Sequence, residues 1–182
     1  MEDLEVTNVK NTKSLALNAL NYGVIVGFAM IVFGVILYAF DLTMNRVLSM
    51  LTYILLIAGM YIGSKKYRTA YTDGFLSYGK AFQSSFMIGL VASVLLIIWN
   101  YIFFEFIDKT MVTQIIDKAQ ESMLERNPNM SEEEMNMGLK YVKMFTTPIM
   151  MAIMGLLYNL FFSVIIGLIV AIFVKKEEPI VI

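Results

Sequence analysis

Four long stretches of this chain contain no charged residue, and they predict its architecture. The stretches hold 27, 18, 24 and 31 residues and run over 14–40, 47–64, 81–104 and 144–174. The hydrocarbon core of a membrane is about 30 Å thick and takes roughly 20 mostly apolar residues in helical form. Because backbone that faces lipid has to make its hydrogen bonds internally, each stretch is expected to be a helix. We therefore predict transmembrane helices over about residues 22–40, 47–63, 82–104 and 149–174.

The polar segment between the third and fourth predicted spans has a helical pattern of its own. Apolar residues recur at helical spacing between Asp108 and Arg126, and Asn127-Pro128-Asn129 then interrupts the pattern. Ser131-Glu132-Glu133-Glu134 is a capping box, which is typical of a helix start, and a second apolar stripe follows it as far as Phe145. These features predict a helical hairpin over about residues 108–145, with one apolar face on each arm.

The positions of lysine and arginine indicate which way the spans point. Lys10 and Lys13 precede the first span, four basic residues lie between the second and third, and Lys175 and Lys176 follow the fourth. Because short cytoplasmic connections carry an excess of basic residues, both termini are expected to be cytoplasmic and the hairpin extracytoplasmic. The predicted fold class is an all-α polytopic membrane protein with four transmembrane helices in an antiparallel bundle. The helical hairpin connects its third and fourth helices.

Small residues at four-residue spacing are predicted to hold these helices together. Lipid tails provide no hydrophobic drive for helix association, so close packing through small side chains becomes important. The predicted packing residues are Gly23, Gly27, Gly59, Gly63, Ser85, Gly89, Ser93, Gly155, Asn159, Ser163 and Gly167. The same ladders could join two copies of the chain, so a homo-oligomer stays open alongside the single bundle.

Composition and charge narrow the chemistry. The hydrophobic content is 58%, which excludes an ordinary soluble domain, and the net charge of -1 argues against a nucleic-acid partner. The chain has no Cys and no His, so it lacks a thiolate nucleophile, an imidazole base and the usual nitrogen and sulfur metal ligands. We therefore expect no catalytic residue, no cofactor and no metal site, and we expect that the protein is not an enzyme.

Uncharged polar residues inside the spans are the remaining candidates for a transport path. Ion pumps and proton relays normally use a buried carboxylate, and no charged residue lies inside the four stretches. The candidates are Asn100, Asn159, Ser85 and Ser163. Hydrogen bonds between helices, or back to helical carbonyls, also account for these side chains.

The connection between the second and third spans contains a compact motif. Asp73-Gly74 is a turn-forming pair, and Phe75, Tyr78 and Phe82 then recur at helical spacing. This spacing predicts an interfacial turn of helix that begins near Phe75 and leads directly into the third span. Within it, Asp73, Gly74, Gly79 and Lys80 form a candidate interfacial motif, because a lysine at this depth can extend toward lipid headgroups.

The run Tyr71–Phe82 resembles a pattern of domain-of-unknown-function family 4199, small integral membrane proteins found mainly in Bacteroidetes. Phe106-Ile107-Asp108, Ser131–Glu134 and Phe145–Pro148 also resemble that family, and the likeness covers about residues 18–176. The resemblance implies a multi-pass protein of the bacterial inner membrane. It implies no activity and no functional residues.

Three functions are consistent with these features. The first is a non-enzymatic structural or accessory subunit that lies in the lipid bilayer and contacts a protein partner through the hairpin. The second is a component of a transporter or channel, with the polar path given above. The third is an enzyme acting on lipid headgroups, which would use Asp73, Lys80 and nearby basic residues.

The predicted orientation can be tested with reporter fusions. Alkaline phosphatase needs disulfides that form only outside the cytoplasm. A fusion after Glu125 is therefore expected to be active, and one after Tyr71 inactive. The reverse pattern of activity would overturn the orientation.

Overall fold

The computed structural model describes residues 2–43 and 45–179, with side chains from Ser14 onward. The side chains of Lys10 and Lys13, which entered the orientation argument, lie outside the described residues. The described regular structure is helical apart from one isolated bridge. The helices are α1 (Glu2–Ala39), α2 (Arg46–Met50), α3 (Thr52–Tyr71), α4 (Tyr78–Ile102), α5 (Thr110–Arg126), α6 (Glu132–Phe145) and α7 (Pro148–Val174).

Four segments are long and apolar enough to cross a membrane, which confirms the predicted number of such helices. They are Ser14–Ala39, Arg46–Tyr71, Tyr78–Ile107 and Pro148–Val174. Large apolar side chains on these segments face outward, and Phe28 and Phe173 are 64% and 70% exposed. A soluble protein rarely exposes so much contiguous apolar surface, whereas lipid covers it without cost. These features indicate a multi-pass membrane protein.

The second span extends further than its uncharged stretch. Helix α3 continues past residue 63 to Tyr71 and includes Lys65, Lys66 and Arg68. A charged side chain ends an apolar stretch but does not end the helical hydrogen bonding. Arg68 therefore lies in the last turn of a helix, where a cation interacts favourably with the helix dipole, and Lys65 and Lys66 lie further from the helix end.

The end of the third span widens into a π-helical turn over Phe103–Ile107. The backbone N–H of Asp108 donates to the carbonyl of Phe103 at 2.9 Å and closes this turn. The Asp108 carboxylate then accepts from the backbone N–H groups of Thr110 and Met111, at 2.9 and 3.1 Å. Asp108 therefore ends one helix and caps the next, because it satisfies N–H groups that have no partner within α5.

The chain forms two compact units, residues 1–96 with 158–182 and residues 97–157. In the first unit, helices meet at glycines. A Cβ atom on Gly23 of α1 would lie 2.5 Å from Cβ of Val91 on α4, and one on Gly59 of α3 would overlap Val26 of α1. These positions admit a neighbouring helix only because the side chain is absent.

The same close packing occurs around Gly63 and Gly89. A Cβ atom on Gly63 would lie 2.6 Å from Cδ1 of Ile88, and one on Gly89 would overlap Met60 and lie 2.5 Å from Oγ of Ser163. Gly27 and Gly167 have looser surroundings, with nearest distances of 3.0 and 3.4 Å. Through these contacts α1 packs on α3 and α4, and α4 packs on α3 and α7.

Buried hydrogen bonds accompany the glycine contacts. Oγ of Ser85 donates to the carbonyl of Ala81 at 3.0 Å, so Oγ of Ser64 supplies the proton of the 2.9 Å bond between the two hydroxyls. Nδ2 of Asn18 donates to the carbonyl of Gly63 at 3.1 Å. These bonds link α3 to α4 and α1 to α3 in a region from which water is excluded, where an unpaired polar group would be costly.

The second unit contains α5 and α6, which pack against each other. Gly138 of α6 faces Met123 of α5, and a Cβ there would lie 3.1 Å from its thioether sulfur. The predicted capping box is confirmed, since the backbone N–H of Glu134 donates to Oγ of Ser131 at 3.3 Å and its carboxylate accepts from the Ser131 backbone at 2.9 Å. That backbone hydrogen bond lowers the pKa of Glu134.

The glycine contact can be tested with two substitutions on one helix. Gly23→Ala places a methyl group against Val91 and the Ile88 carbonyl, so it should lower the free energy of unfolding by about 1–3 kcal/mol. Gly34→Ala is the matched control, because no atom lies within 4 Å of its Cβ position. The measurement is the midpoint temperature of unfolding in detergent, with circular dichroism as the probe of helix content. Equal midpoints for the two variants would contradict the packing described above.

Candidate functional site

A sharp turn begins the candidate interfacial motif. Asp73 and Gly74 have φ values of 51° and 86°, in the left-handed region that most residues avoid. The backbone N–H of Gly74 donates to the carbonyl of Arg68 at 3.1 Å, and Oγ1 of Thr72 donates to the same carbonyl at 2.8 Å. The turn therefore ends α3 and satisfies a carbonyl that the helix leaves free.

The segment after this turn is extended and pairs with the end of the chain. Leu76 and Lys176 form an antiparallel bridge in which each backbone N–H donates to the other's carbonyl, at 2.7 and 2.8 Å. The predicted helical turn at Phe75 is therefore wrong, and α4 begins at Tyr78. The left-handed Gly74 redirects the backbone, and the bridge then holds it extended with the Leu76 side chain buried.

Two side chains attach α7 to this region. Nη1 of Arg68 donates to the carbonyl of Val174 at 2.6 Å, at the last residue of α7. The Tyr78 hydroxyl donates to the carbonyl of Leu168 at 3.2 Å. Because a cation near a helix C-terminus is favourable, Arg68 both satisfies a free carbonyl and complements the α7 dipole. The end of α3, the start of α4 and the end of α7 consequently lie next to one another.

A cleft of about 510 Å³ lies at this place, and we call it the motif cleft. Side chains of both charge signs, two aromatic rings and a few small polar groups line it. They are Tyr71, Thr72, Asp73, Phe75, Leu76, Ser77, Lys80, Lys176, Glu177 and Glu178. Nζ of Lys176 lies 5.3 Å from the centre of the Phe75 ring, which is within the range of a cation–π interaction.

The charged side chains that line the motif cleft form no ion pairs with one another in the described part of the chain. Among the described residues one ion pair involves a cleft residue: Glu177 pairs with Lys175, which does not line the cleft, at 4.0 Å and between exposed side chains. Such a pair contributes little to stability. The other charged residues of the cleft form no ion pair within the described part of the chain, so they can interact with a ligand. They are Asp73, Lys80, Lys176 and Glu178.

The four residues of the predicted interfacial motif have different positions. Asp73 and Lys80 line the motif cleft, and Gly74 makes the turn beside it. Gly79 lies in the first turn of α4, and no atom lies within 4 Å of its Cβ position. Sequence reasoning missed Lys176, Glu177 and Glu178, because they are distant along the chain from the motif.

The residues of the predicted polar path do not all belong to one unit. Ser85 and Ser163 are fully buried in the first unit, and Asn159 belongs to that unit as well. Asn100 belongs to the second unit, where its Nδ2 would lie 3.2 Å from a Cβ atom on Gly155. Ser93 donates to the carbonyl of its own helix at Gly89, at 2.8 Å.

Further buried polar residues of the first unit were not predicted. Ser64 and Asn18 make the buried hydrogen bonds described above, and both lie near the ends of apolar stretches. Ser84 is fully buried, and its hydroxyl has no hydrogen-bond partner within the described part of the chain; the same holds for Ser163. The adjacent pair Ser84-Ser85 in an otherwise apolar span was the available signal.

Comparison with known proteins places the chain in a family. The sequence model described as "Protein of unknown function (DUF4199)" matches residues 21–176. The chain therefore belongs to this family, in agreement with the resemblance of its motifs. No curated protein and no solved structure matches it.

The turn that shapes the motif cleft can be tested with a pair of glycines. Gly74→Ala forces a side chain into a left-handed conformation and should lower the free energy of unfolding by about 1–2 kcal/mol. Gly79→Ala should leave it unchanged or raise it, because that position is helical and open. Thermal unfolding of the purified protein measures both. A Gly79→Ala variant as unstable as Gly74→Ala would contradict the assigned role of the turn.

Proposed function

We propose that this member of the DUF4199 family is a non-enzymatic structural or accessory subunit of a bacterial inner membrane. It presents α6 to a protein partner. The observation that carries the proposal is a row of exposed apolar side chains on α6, which the described residues leave uncovered. Four spanning helices provide the anchor, and the α5–α6 segment provides the contact.

The proposed architecture is an antiparallel four-helix bundle with both termini in the cytoplasm and an outer hairpin of α5 and α6. The meeting of three helix ends at the motif cleft supports it, since α3 and α7 end where α4 begins. The concentration of lysine and arginine at this end supports the orientation. The contact between α5 and α6 supports the hairpin.

Helix α6 has two apolar faces. Met135, Leu139 and Val142 are partly buried on the side that carries Gly138, which faces α5. A second row is exposed: Met137 57%, Tyr141 60%, Met144 51% and Phe145 50%. The spacing of four, three and one residues places this row along one side of the helix.

The composition of the exposed row favours a protein partner. Aromatic residues and methionine are enriched at protein interfaces, and methionine adapts its shape to a partner surface. Lys140 and Lys143 of α6 lie beside this row and not in it, whereas Glu134, about one turn before Met137, lies on the same side. Each of these half-exposed side chains would gain part of the roughly 1.5–3 kcal/mol that full burial of an exposed apolar side chain provides, so we expect another molecule to cover the row.

The proposal can be tested by photocrosslinking in native membranes. A photoreactive phenylalanine analogue at Tyr141 or at Met144 should form an adduct of one defined mass with the same partner. The matched control is the same analogue at Asn136, an exposed residue on another side of α6, which should give no such adduct. The partner, once identified, should co-purify with the unmodified protein and be lost on Tyr141→Glu.

Other adducts would point elsewhere. Adducts of twice the chain mass from both positions would indicate a homo-oligomer as the occupant of the row. Adducts with lipid alone would show that the exposed row contacts the bilayer. The row would then no longer support an accessory function.

Transport is the second candidate, and the buried hydroxyls of Ser84 and Ser163 favour it. Polar groups without a hydrogen-bond partner among the described residues are unusual in an apolar core and often have a functional reason. If no protein adduct forms and purified protein in liposomes passes a solute or ion, Ser163→Ala should reduce that flux while Gly34→Ala leaves it unchanged.

A further inference from the structure

The motif cleft lies where membrane spans end. Tyr71 is the last residue of the second candidate span, and Tyr78 is the first residue of the third. Both tyrosines are partly exposed, as is usual for aromatic residues at the level of the lipid headgroups. The volume of about 510 Å³ falls within the range of small-molecule sites, roughly 300–1,000 Å³. A ligand at this depth is either a lipid headgroup or a small polar molecule from the adjacent water.

The charges of the motif cleft specify what such a ligand carries. Lys80 and Lys176 supply positive charge, and Asp73, Glu177 and Glu178 supply negative charge. A purely anionic ligand would be attracted by the two lysines but repelled by the three carboxylates. A purely cationic ligand would be attracted by the carboxylates but repelled by the lysines. A ligand with one charge of each sign is attracted by both sets.

The chemistry of the two sets refines this choice. Lysine is a compact cation that binds phosphate as a point charge, and Lys176 is oriented by the Phe75 ring. Carboxylates accept charge-assisted hydrogen bonds from a primary ammonium, which has three N–H donors, but not from a quaternary ammonium, which has none. The carboxylates of the lining therefore favour ethanolamine over choline.

We propose that the motif cleft binds a phosphoethanolamine group. Its phosphate lies toward Lys80 and Lys176, and its ammonium lies toward the carboxylates of Asp73, Glu177 and Glu178. The group is shared by the phospholipid phosphatidylethanolamine and by soluble phosphoethanolamine. This site is independent of the exposed row on α6 and does not rest on the accessory function.

The proposal can be tested by native mass spectrometry of the full chain in detergent. The lipid probes are phosphatidylethanolamine, phosphatidylcholine and phosphatidylglycerol with identical acyl chains, and soluble phosphoethanolamine serves as competitor. Phosphatidylethanolamine should bind about tenfold more tightly than either other lipid, which corresponds to about 1.4 kcal/mol. If the competitor displaces it at a concentration near that of the lipid, the natural ligand is soluble; if it does not, the lipid is the ligand.

Paired variants separate the two halves of the site. Lys80→Gln with Lys176→Gln should weaken binding of phosphatidylethanolamine about tenfold, since two charged contacts to the phosphate are removed. Glu177→Gln with Glu178→Gln should reduce its preference over phosphatidylcholine. The matched controls are Lys66→Gln and Glu121→Gln, exposed residues that do not line the cleft.

Two results would overturn the proposal. One is equal binding of the three lipids, and the other is unchanged binding in both paired variants. Thermal unfolding of each variant identifies any loss of fold. If the double lysine variant unfolds, binding of the three lipids to the double glutamate variant tests the proposal instead. Glu177 and Glu178 are exposed and lie beyond α7, so replacing them should leave the fold intact.

Discussion

Close contact between helices at glycine is the constraint on which the first unit depends. Lipid outside the protein is as apolar as the side chains within it, so burial alone does not bring the spans together. Dispersion and polar contacts have to supply the attraction, and both grow steeply as helices approach. At Gly23, Gly59 and Gly89 the neighbouring helix occupies the space of a missing side chain. Adding one methyl group there separates the helices and weakens every contact beside it.

The close approach also determines where polar groups can be satisfied. The carbonyl of Gly63 accepts from Asn18 of another helix, beside the place where Ile88 and Tyr22 fill the space of a missing side chain. One turn along α4 from the Ser64–Ser85 hydroxyl pair, Gly89 admits Ser163 of α7. Small residues thus have two linked effects: they bring the backbones together, and they let short polar side chains reach across. The uncharged stretches of the spans can therefore hold several polar residues.

Much of the architecture could be predicted from local patterns, and the cleft could not. The four apolar helices and the Ser131 capping box depend on residues close together in sequence, so periodicity and spacing reveal them. The extended Leu76 depends on Lys176, and the end of α7 depends on Arg68, 106 residues away from its partner. Helical spacing at Phe75 and Tyr78 therefore gave a wrong prediction, because a distant strand-like pairing overrides local periodicity. The lysine and glutamates after α7 enter the cleft for the same reason.

The exposed row on α6 differs physically from the exposed apolar surfaces of the spans. Apolar side chains on the spans need no further partner, because lipid covers a helix long enough to cross the bilayer. Helix α6 has 14 residues, which is about 21 Å at 1.5 Å per residue and less than the hydrocarbon thickness of about 30 Å. It also begins with three glutamates and carries two lysines, which would be costly in hydrocarbon. Its apolar row therefore requires either the membrane interface or another protein, and the mixture of methionine and aromatic side chains favours the protein.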